Sequence, residues 1–131
     1  MTGRCLCGAV RLEVEPPLRN VVVCHCSLCR RSGTLAGAYS AAPRKALRVE
    51  GELTWYDDAN GRQRGFCGSC GSTLLWDAGD ETVSIAAGAL DEPTGLRTVS
   101  HIFVAEAADW EDVPGGVPHH VAGSSSQLHS A

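Results

Sequence analysis

Seven cysteines lie in three short segments of this 131-residue chain, and their spacing is the pattern best suited to chemistry. The segments are Cys5-x-Cys7, Cys24-x-Cys26-x-x-Cys29 and Cys67-x-x-Cys70. A closed structural zinc site takes four protein ligands, whereas a catalytic zinc takes three and keeps one position for water or substrate. Seven cysteines therefore divide naturally into one site of four and one site of three.

The site of four combines the first and last segments. Glycines around Cys67 and Cys70 permit the tight backbone turn that lets two sulfurs converge on one metal. Cys5 and Cys7, followed by Gly8, supply the second pair. A redox dithiol at Cys67 and Cys70 is the alternative, but it requires a βαβ context that this sequence lacks. We therefore predict a structural zinc that ties the start of the chain to its middle.

The middle segment places three sulfurs, from Cys24, Cys26 and Cys29, within six residues at the end of a predicted strand. His25 alternates with these cysteines, so on an extended strand it points to the opposite face. The alternative is that His25 is a fourth ligand, which would make this site structural too. A zinc with three thiolates is a weaker Lewis acid than a three-histidine zinc, but it suits the binding of an incoming thiol as thiolate. The sequence therefore predicts thiol chemistry at this site.

Polar and aromatic residues near these segments have two interpretations each. Arg30 and Arg31 follow Cys29 directly, and they either bind a substrate carboxylate or form a solvated pair. The aromatic residues Trp55, Tyr56 and Trp76, together with His101, more often pack in or beside strands than act in catalysis.

Charge and hydropathy exclude several classes of protein. The net charge of −4 disfavours binding to nucleic acid or to an anionic membrane, because phosphate binding needs clustered cations. The N-terminus lacks the apolar region of a signal peptide, and no run approaches the roughly 18 apolar residues of a spanning helix. We predict a cytoplasmic protein, in which clustered thiols stay reduced and bind metal. Their odd number also argues against a complete disulfide framework. The sequence leaves the oligomeric state open.

Short alternating runs separated by turn residues predict an all-β domain. The predicted strands are Ala9–Glu15, Leu18–Cys24, Leu35–Ala41, Ala46–Glu50, Leu53–Tyr56, Arg62–Phe66, Ser72–Trp76, Thr82–Ala87 and His101–Val104. Glu50-Gly51-Glu52 is predicted as a hairpin turn, Asp57–Gly61 as a second turn, and Ser27–Gly33 as a short helical turn. We predict one domain over residues 1–114 and a disordered tail over residues 115–131.

Several motifs occur together in a fixed order. They are C-x-C-G-x-V, C-H-C-S-x-C-R-R, F-C-G-x-C-G-S-x-L, G-x-L-D and H-I-F-V, and they run from about Arg4 to Pro118. In these motifs the chain resembles the glutathione-dependent formaldehyde-activating enzyme family, which includes the centromere protein V type domains.

The resemblance implies a small zinc-stapled β sandwich of two sheets. It implies that Cys5, Cys7, Cys67 and Cys70 hold a structural zinc and that Cys24, Cys26 and Cys29 hold a catalytic one. The implied activity is that of a carbon–sulfur lyase, in which the sulfur of glutathione adds to formaldehyde to give S-hydroxymethylglutathione. Family members often carry a lysine in a K-A-x-W pattern after H-I-F-V, whereas this chain has glutamate and alanine in the segment Ala105–Trp110.

Three functions are therefore compatible with the sequence. The first is an enzyme that joins a thiol, glutathione or a similar one, to a small aldehyde such as formaldehyde. The second is a non-catalytic, zinc-stapled binding module, as the centromere-type relatives suggest. The third is a zinc-dependent hydrolase or imine-processing enzyme, which would show no requirement for a thiol.

Overall fold

The structure is a computed structural model that describes residues 1–58 and 60–123, and ten strands in these residues form two sheets. The smaller sheet is antiparallel, in the order β1-β2-β5, with β1 at Thr2–Arg4, β2 at Arg11–Val14 and β5 at Leu47–Glu50. The larger sheet has the order β10-β3-β4-β9-β8-β7-β6, and only its β10–β3 pair is parallel. Its strands are β3 (Arg19–Cys24), β4 (Gly37–Pro43), β6 (Leu53–Asp57), β7 (Gln63–Cys67), β8 (Thr73–Asp77), β9 (Thr82–Ala86) and β10 (Thr98–Ile102).

Helical structure in the described residues is confined to short pieces. The α-helix α1 spans Ser27–Gly33, and three single 3₁₀ turns lie at Arg44–Ala46, Ala87–Ala89 and Val104–Glu106. The all-β prediction and the short helix after the second cysteine segment are both confirmed. No helix in the described part of the chain is long and apolar enough to cross a membrane.

The main core lies between the two sheets. Val10, Leu12 and Val14 are at most 2% exposed, as the alternation in the sequence predicted. They belong to one apolar cluster with Leu75 and Ile85 of the larger sheet. Each such aliphatic side chain contributes about 1.5–3 kcal/mol by leaving water. The two sheets are therefore held together by ordinary hydrophobic packing as well as by any metal.

The larger sheet carries a second apolar cluster on one half of its surface. Val22 and Cys24 of β3, Tyr39 of β4 and Ile102 of β10 are buried in it, together with Cys29 of α1. Because side chains two residues apart share a face of a strand, Val22 and Cys24 lie on the same face. Two cysteines of the second group, Cys24 and Cys29, are therefore packed within this apolar cluster.

The predicted hairpin at Glu50-Gly51-Glu52 is wrong. β5 pairs with β2, whereas β6 pairs with β7, so residues 51–52 carry the chain from one sheet to the other. Gly51 has φ +94°, and a Cβ there would lie 2.2 Å from the carbonyl oxygen of Ala9. The glycine is needed for this close crossing, and a crossing and a hairpin share the same local turn signal.

The end of the chain differs in part from the expectation. β10 begins at Thr98 and ends at Ile102, because Phe103 takes a left-handed backbone conformation with φ 54°. Beyond it, the backbone N–H of His101 donates to the carbonyl oxygen of Pro118, and that of His120 donates to the carbonyl oxygen of His101. Residues 118–120 thus lie along β10. Residue 59 of the predicted Asp57–Gly61 turn and residues 124–131 of the predicted tail lie outside the described residues, and the domain boundary at 114 stays a prediction.

Candidate metal centres and the adjoining cavity

The sulfurs of Cys5, Cys7, Cys67 and Cys70 converge, with all four atoms within 4.8 Å of one another. The Cys5–Cys7 and Cys7–Cys67 sulfur pairs are each 3.7 Å apart. A disulfide would require about 2.05 Å. Tetrahedral zinc with Zn–S bonds of about 2.3 Å places its sulfurs about 3.8 Å apart. The donor set and its spacing therefore fit a four-thiolate zinc, as the sequence predicted.

Two tight backbone turns orient these four sulfurs toward one another. The N–H of Gly71 donates to the carbonyl oxygen of Cys67, and the N–H of Gly8 donates to that of Cys5. Gly8 and Gly71 have φ values of +82° and +79°, which favour glycine. Since one turn joins β1 to β2 and the other joins β7 to β8, this cluster connects the two sheets.

The second cluster consists of Cys24, Cys26 and Cys29, whose sulfurs also lie within 4.8 Å of one another. Cys24 ends β3, Cys26 is the N-cap of α1, and Cys29 lies inside that helix. The sulfur of Cys26 accepts the backbone N–H of Cys29 at 3.3 Å, as a cap residue should. Strand end, cap and first helical turn together bring three ligands to one point. The set fits a metal that retains an open position.

Ionisation in this cluster is uneven. The pKa of Cys26 lies well below its usual value, because the Cys24 and Cys29 thiols and the Cys29 backbone N–H donate hydrogen bonds to its sulfur. The neighbouring Cys26 and Cys29 sulfurs, together with burial, raise the pKa of Cys24. Cys26 is therefore more readily ionised than Cys24.

His25 does not join the cluster in the structure. Its side chain is 1% exposed and points to the other face of β3, as strand alternation predicted. Its Nε2 lies 2.8 Å from Nδ1 of His101, and its Nδ1 lies 2.8 Å from a carboxylate oxygen of Glu111. The alternative in which His25 closes the second site as a fourth ligand is therefore not supported. Instead, His25 connects the end of β3, which carries Cys24, to β10 and to residue 111.

A cavity of about 540 Å³ adjoins the second cluster, and all three cysteines line it. Its other lining residues are Ser27, Leu28, Tyr39, Asp58, Asn60, Arg62, Arg64, Trp76, Ala78, Asp80, Ser84, Phe103, Glu106 and Gly123. The wall is thus partly apolar, and charges of both signs are present. Such a mixture is typical of small-molecule sites.

Arg64 is the buried cation of this cavity, at 8% exposed. One guanidinium nitrogen lies 3.8 Å from the Cys29 sulfur, and the other contacts the Ser32 hydroxyl at 3.2 Å and the Tyr39 hydroxyl at 3.5 Å. Burial is the largest influence on the pKa of Arg64 and lowers it, but the nearby Cys29, Tyr39 and Cys26 groups together outweigh burial and raise that pKa. Burial, and then the charge of Cys29, raise the pKa of Tyr39 to about 12. The pair presents a cation and a protonated phenol beside the thiols.

Arg30 and Arg31 do not line the cavity, although they follow Cys29 in sequence. The cations that do line it are Arg62 and Arg64, for which the sequence predicted only a place in a strand. Arg64 sits at an inward position of β7, and a charged residue at a buried strand position is the signal that would have identified it. Trp76 lines the cavity, whereas Trp55 and Tyr56 are 43% and 62% exposed on the edge strand.

Glu106 lies in the segment in which the chain departs from the K-A-x-W pattern, and the structure gives this residue a role. Its carboxylate accepts the backbone N–H of Ser27 at 3.1 Å. Ser27 is the first residue of α1, whose N–H has no partner within the helix. A carboxylate at this position also interacts favourably with the helix dipole. Glu106 thus stabilises the turn that carries Cys26 and Cys29, and it contributes a negative charge to the cavity wall.

Comparisons with known proteins agree with these features. A family model described as glutathione-dependent formaldehyde-activating enzyme matches residues 1–106. A crystal structure of a Rhodobacter sphaeroides protein is 30% identical to this chain with a TM-score of 0.61. That match covers 75% of this chain and 98% of the other.

Proposed function

This chain belongs to the glutathione-dependent formaldehyde-activating enzyme family, and from that premise we propose that it is a zinc-dependent carbon–sulfur lyase. It joins a thiol, glutathione or a similar one, to a small aldehyde such as formaldehyde, and it catalyses the reverse cleavage. Cys5, Cys7, Cys67 and Cys70 hold a structural zinc. Cys24, Cys26 and Cys29 hold the catalytic zinc.

One observation carries the proposal: the cluster with three ligands, not four, opens onto a cavity that also holds a buried arginine. Zinc bound there supplies a position at which a thiol ionises near neutral pH. The Arg64 guanidinium, 3.8 Å from the Cys29 sulfur, would offset part of the negative charge of the three cysteine thiolates. The site is therefore suited to a thiolate nucleophile.

The remaining lining residues suit a zwitterionic thiol. Glutathione carries carboxylates and an ammonium group, and the wall offers the exposed cation Arg62 together with the carboxylates of Asp58 and Glu106. Arg62 is thus the candidate partner for a substrate carboxylate, in place of Arg30 or Arg31. Trp76 and Phe103 form apolar wall that excludes water from the reacting groups.

The reaction is a simple addition. The thiol loses its proton to solvent, its sulfur attacks the carbonyl carbon, and a C–S bond forms. The π electrons of the carbonyl move to oxygen, which takes a proton from water. The product is a hemithioacetal with the atoms of both substrates, and no oxidant or reductant is needed.

Zinc content of Cys26→Ser, beside wild type, tests the two sites. We expect two zinc ions per wild-type chain and one in a folded Cys26→Ser protein, because the hydroxyl introduced by this substitution can still cap α1. Cys67→Ser is the matched substitution in the other cluster. This variant should fail to fold stably, because it loses the zinc site that links the two sheets. One zinc in both wild type and Cys26→Ser would contradict the catalytic site and favour the binding module.

Exchange spectroscopy with ¹³C-formaldehyde and glutathione tests the activity. We expect the wild-type protein to accelerate interconversion of formaldehyde and its hemithioacetal, with a rate that saturates in thiol, and Cys26→Ser to lose this acceleration. Metal-dependent turnover of another substrate without any thiol would favour the hydrolase or imine-processing alternative instead.

A further inference from the structure

A row of side chains crosses the larger sheet beneath the cavity. Arg64 of β7 pairs in register with Trp76 of β8, Trp76 pairs with Ser84 of β9, and Ser84 pairs with Ala41 of β4. Residues directly opposite each other in register lie on the same face. Tyr39 lies two residues before Ala41, so it shares that face as well. Tyr39, Ser84 and Arg64 all line the cavity that holds the three cysteines.

Ser84 has an unusual environment. The residue is 2% exposed, and its hydroxyl oxygen has no hydrogen-bond partner among the described residues. Buried hydroxyls in proteins are nearly always paired. Ser40, another buried serine, illustrates the rule, because its hydroxyl donates to the carbonyl oxygen of Arg19 at 2.6 Å. The unpaired hydroxyl of Ser84 therefore points to a ligand that the cavity binds.

Tyr39 also has a hydrogen to donate. Its hydroxyl oxygen lies 3.5 Å from a guanidinium nitrogen of Arg64, and a guanidinium can only donate. The phenol oxygen is thus the acceptor in that contact, and its own O–H remains available. No acceptor for it is found in residues 1–58 and 60–123. Tyr39 and Ser84 both offer hydroxyl donors toward the cavity, next to the fixed charge of Arg64.

We propose that Tyr39, Ser84 and Arg64 form a subsite that binds the aldehyde oxygen and stabilises the negative charge that develops on it during addition. The subsite rests on the proposed function. The three donors lie on the sheet face that also carries Cys24, so a carbonyl oxygen held there leaves its carbon near the thiol site. Donors fixed in advance where charge develops are among the largest contributions to catalysis.

The kinetic test uses Tyr39→Phe and Ser84→Ala, each with a matched control. We expect kcat to fall on the order of 10²-fold for Tyr39→Phe, with a smaller fall for Ser84→Ala, and the KM for glutathione to stay unchanged. Tyr56→Phe, on the exposed edge strand, should leave kcat unchanged. Ser40→Ala removes a paired hydroxyl and should lower the unfolding midpoint but not kcat, whereas Ser84→Ala should keep its midpoint and both zinc ions. An unchanged kcat in both Tyr39→Phe and Ser84→Ala overturns the subsite.

Binding affinities measured by calorimetry test the subsite independently of the enzymatic activity. The probes are S-methylglutathione, which has no oxygen on its added carbon, and S-hydroxymethylglutathione formed in excess formaldehyde. Wild type should bind the hydroxymethyl compound on the order of tenfold more tightly, and the Tyr39→Phe/Ser84→Ala double variant should lose that preference. A wild type that shows the preference without turnover supports the subsite and refutes the proposed enzyme. Equal affinity for both probes overturns the subsite alone, and binding of neither overturns both.

Discussion

Arg62 and Arg64 lie two residues apart, yet they meet different surroundings. Arg64 is buried beside Cys29 and Tyr39, whereas Arg62 is exposed at the wall of the same cavity. A buried guanidinium is tolerated only with partners that replace its water, and here a thiol and two hydroxyls do so. Arg64 therefore belongs to the immediate surroundings of the second cysteine cluster, and Arg62 is available to an incoming molecule.

Arg62→Ala tests whether Arg62 binds the carboxylate of an incoming thiol. We expect the KM for glutathione to rise on the order of tenfold, because a charge-assisted hydrogen bond to a carboxylate is lost. The KM for 2-mercaptoethanol, a thiol without a carboxylate, should not change. Steady-state kinetics with both thiols make the comparison.

The matched control for this experiment is Arg31→Ala. Arg31 is exposed and does not line the cavity, so both KM values should match those of wild type. A larger effect from Arg31→Ala than from Arg62→Ala would contradict the role of Arg62 and restore the prediction from sequence.

At the level of elements, the second cluster depends on how closely α1 approaches β4. Gly37, the first residue of β4, pairs with Cys24 in register. A Cβ at Gly37 would lie 2.5 Å from the Tyr39 ring and 3.3 Å from the Cys29 sulfur. The absence of a side chain at residue 37 therefore lets Cys29 and Tyr39 occupy the same small volume.

Gly37→Ala should disturb this packing. We expect the free energy of unfolding to fall by about 1–3 kcal/mol, as for other overpacked sites, because ring and sulfur both have to move. The variant should also retain less zinc at the second site. Urea unfolding and zinc analysis measure the two effects.

Gly88→Ala provides the control for that substitution. A Cβ at Gly88 meets nothing within 4 Å, so stability and zinc content should remain those of wild type. Equal behaviour of the two alanine variants would show that the space at Gly37 does not matter to the site.

At the level of the whole molecule, three contacts hold distant parts of the chain together. The first cysteine cluster and the main core join the two sheets. Behind the second cluster, His25 and His101 contact each other, and Glu111 and His119 approach them from the end of the chain. The segment after β10 is thereby fixed against the end of β3 that carries Cys24, on the side opposite the second cluster.

This histidine cluster predicts a pH dependence of stability. Burial, and then the charges of His25 and His119, lower the pKa of His101, while Glu111 opposes them. The unfolded chain, with a histidine pKa of about 6.5, therefore binds this proton first as the pH falls. The contribution of His101 to the free energy of unfolding is constant well above a pH of about 6.5, where the ring is neutral in both states. It destabilises the fold as the pH drops from there to the lower pKa of the folded protein.

Urea unfolding of wild type and His101→Gln between about pH 7.5 and 5.5, a range that spans the ordinary histidine pKa, tests the dependence. We expect wild type to lose stability more steeply than the variant, which lacks the titrating ring. The difference between the two proteins removes the effect of acid on zinc binding, which both share. Parallel curves would show that His101 does not contribute.

The sequence by itself determined the β class, the apolar alternation of β2 and the membership of both cysteine clusters. These are local properties, because strand period, turn glycines and ligand spacing act over a few residues. The alternation of side chains along an extended strand also sufficed to place the His25 side chain on the opposite face from Cys24 and Cys26. The pairing of the first and last cysteine segments followed from the number of ligands that a closed zinc site needs, together with the glycines beside these cysteines.

Only the tertiary structure decided what surrounds the second cluster. Arg64, Ser84 and Tyr39 come from three strands, and register across the sheet brings them to one face. Neither sequence distance nor residue type reveals that register. Arg30 and Arg31 are adjacent to Cys29 in sequence but lie off the cavity, since the path of the helix and not sequence proximity decides which cations line it. The hairpin at Gly51 failed for the same reason: a turn signal fixes a bend, but strand pairing elsewhere fixes which sheet the chain enters.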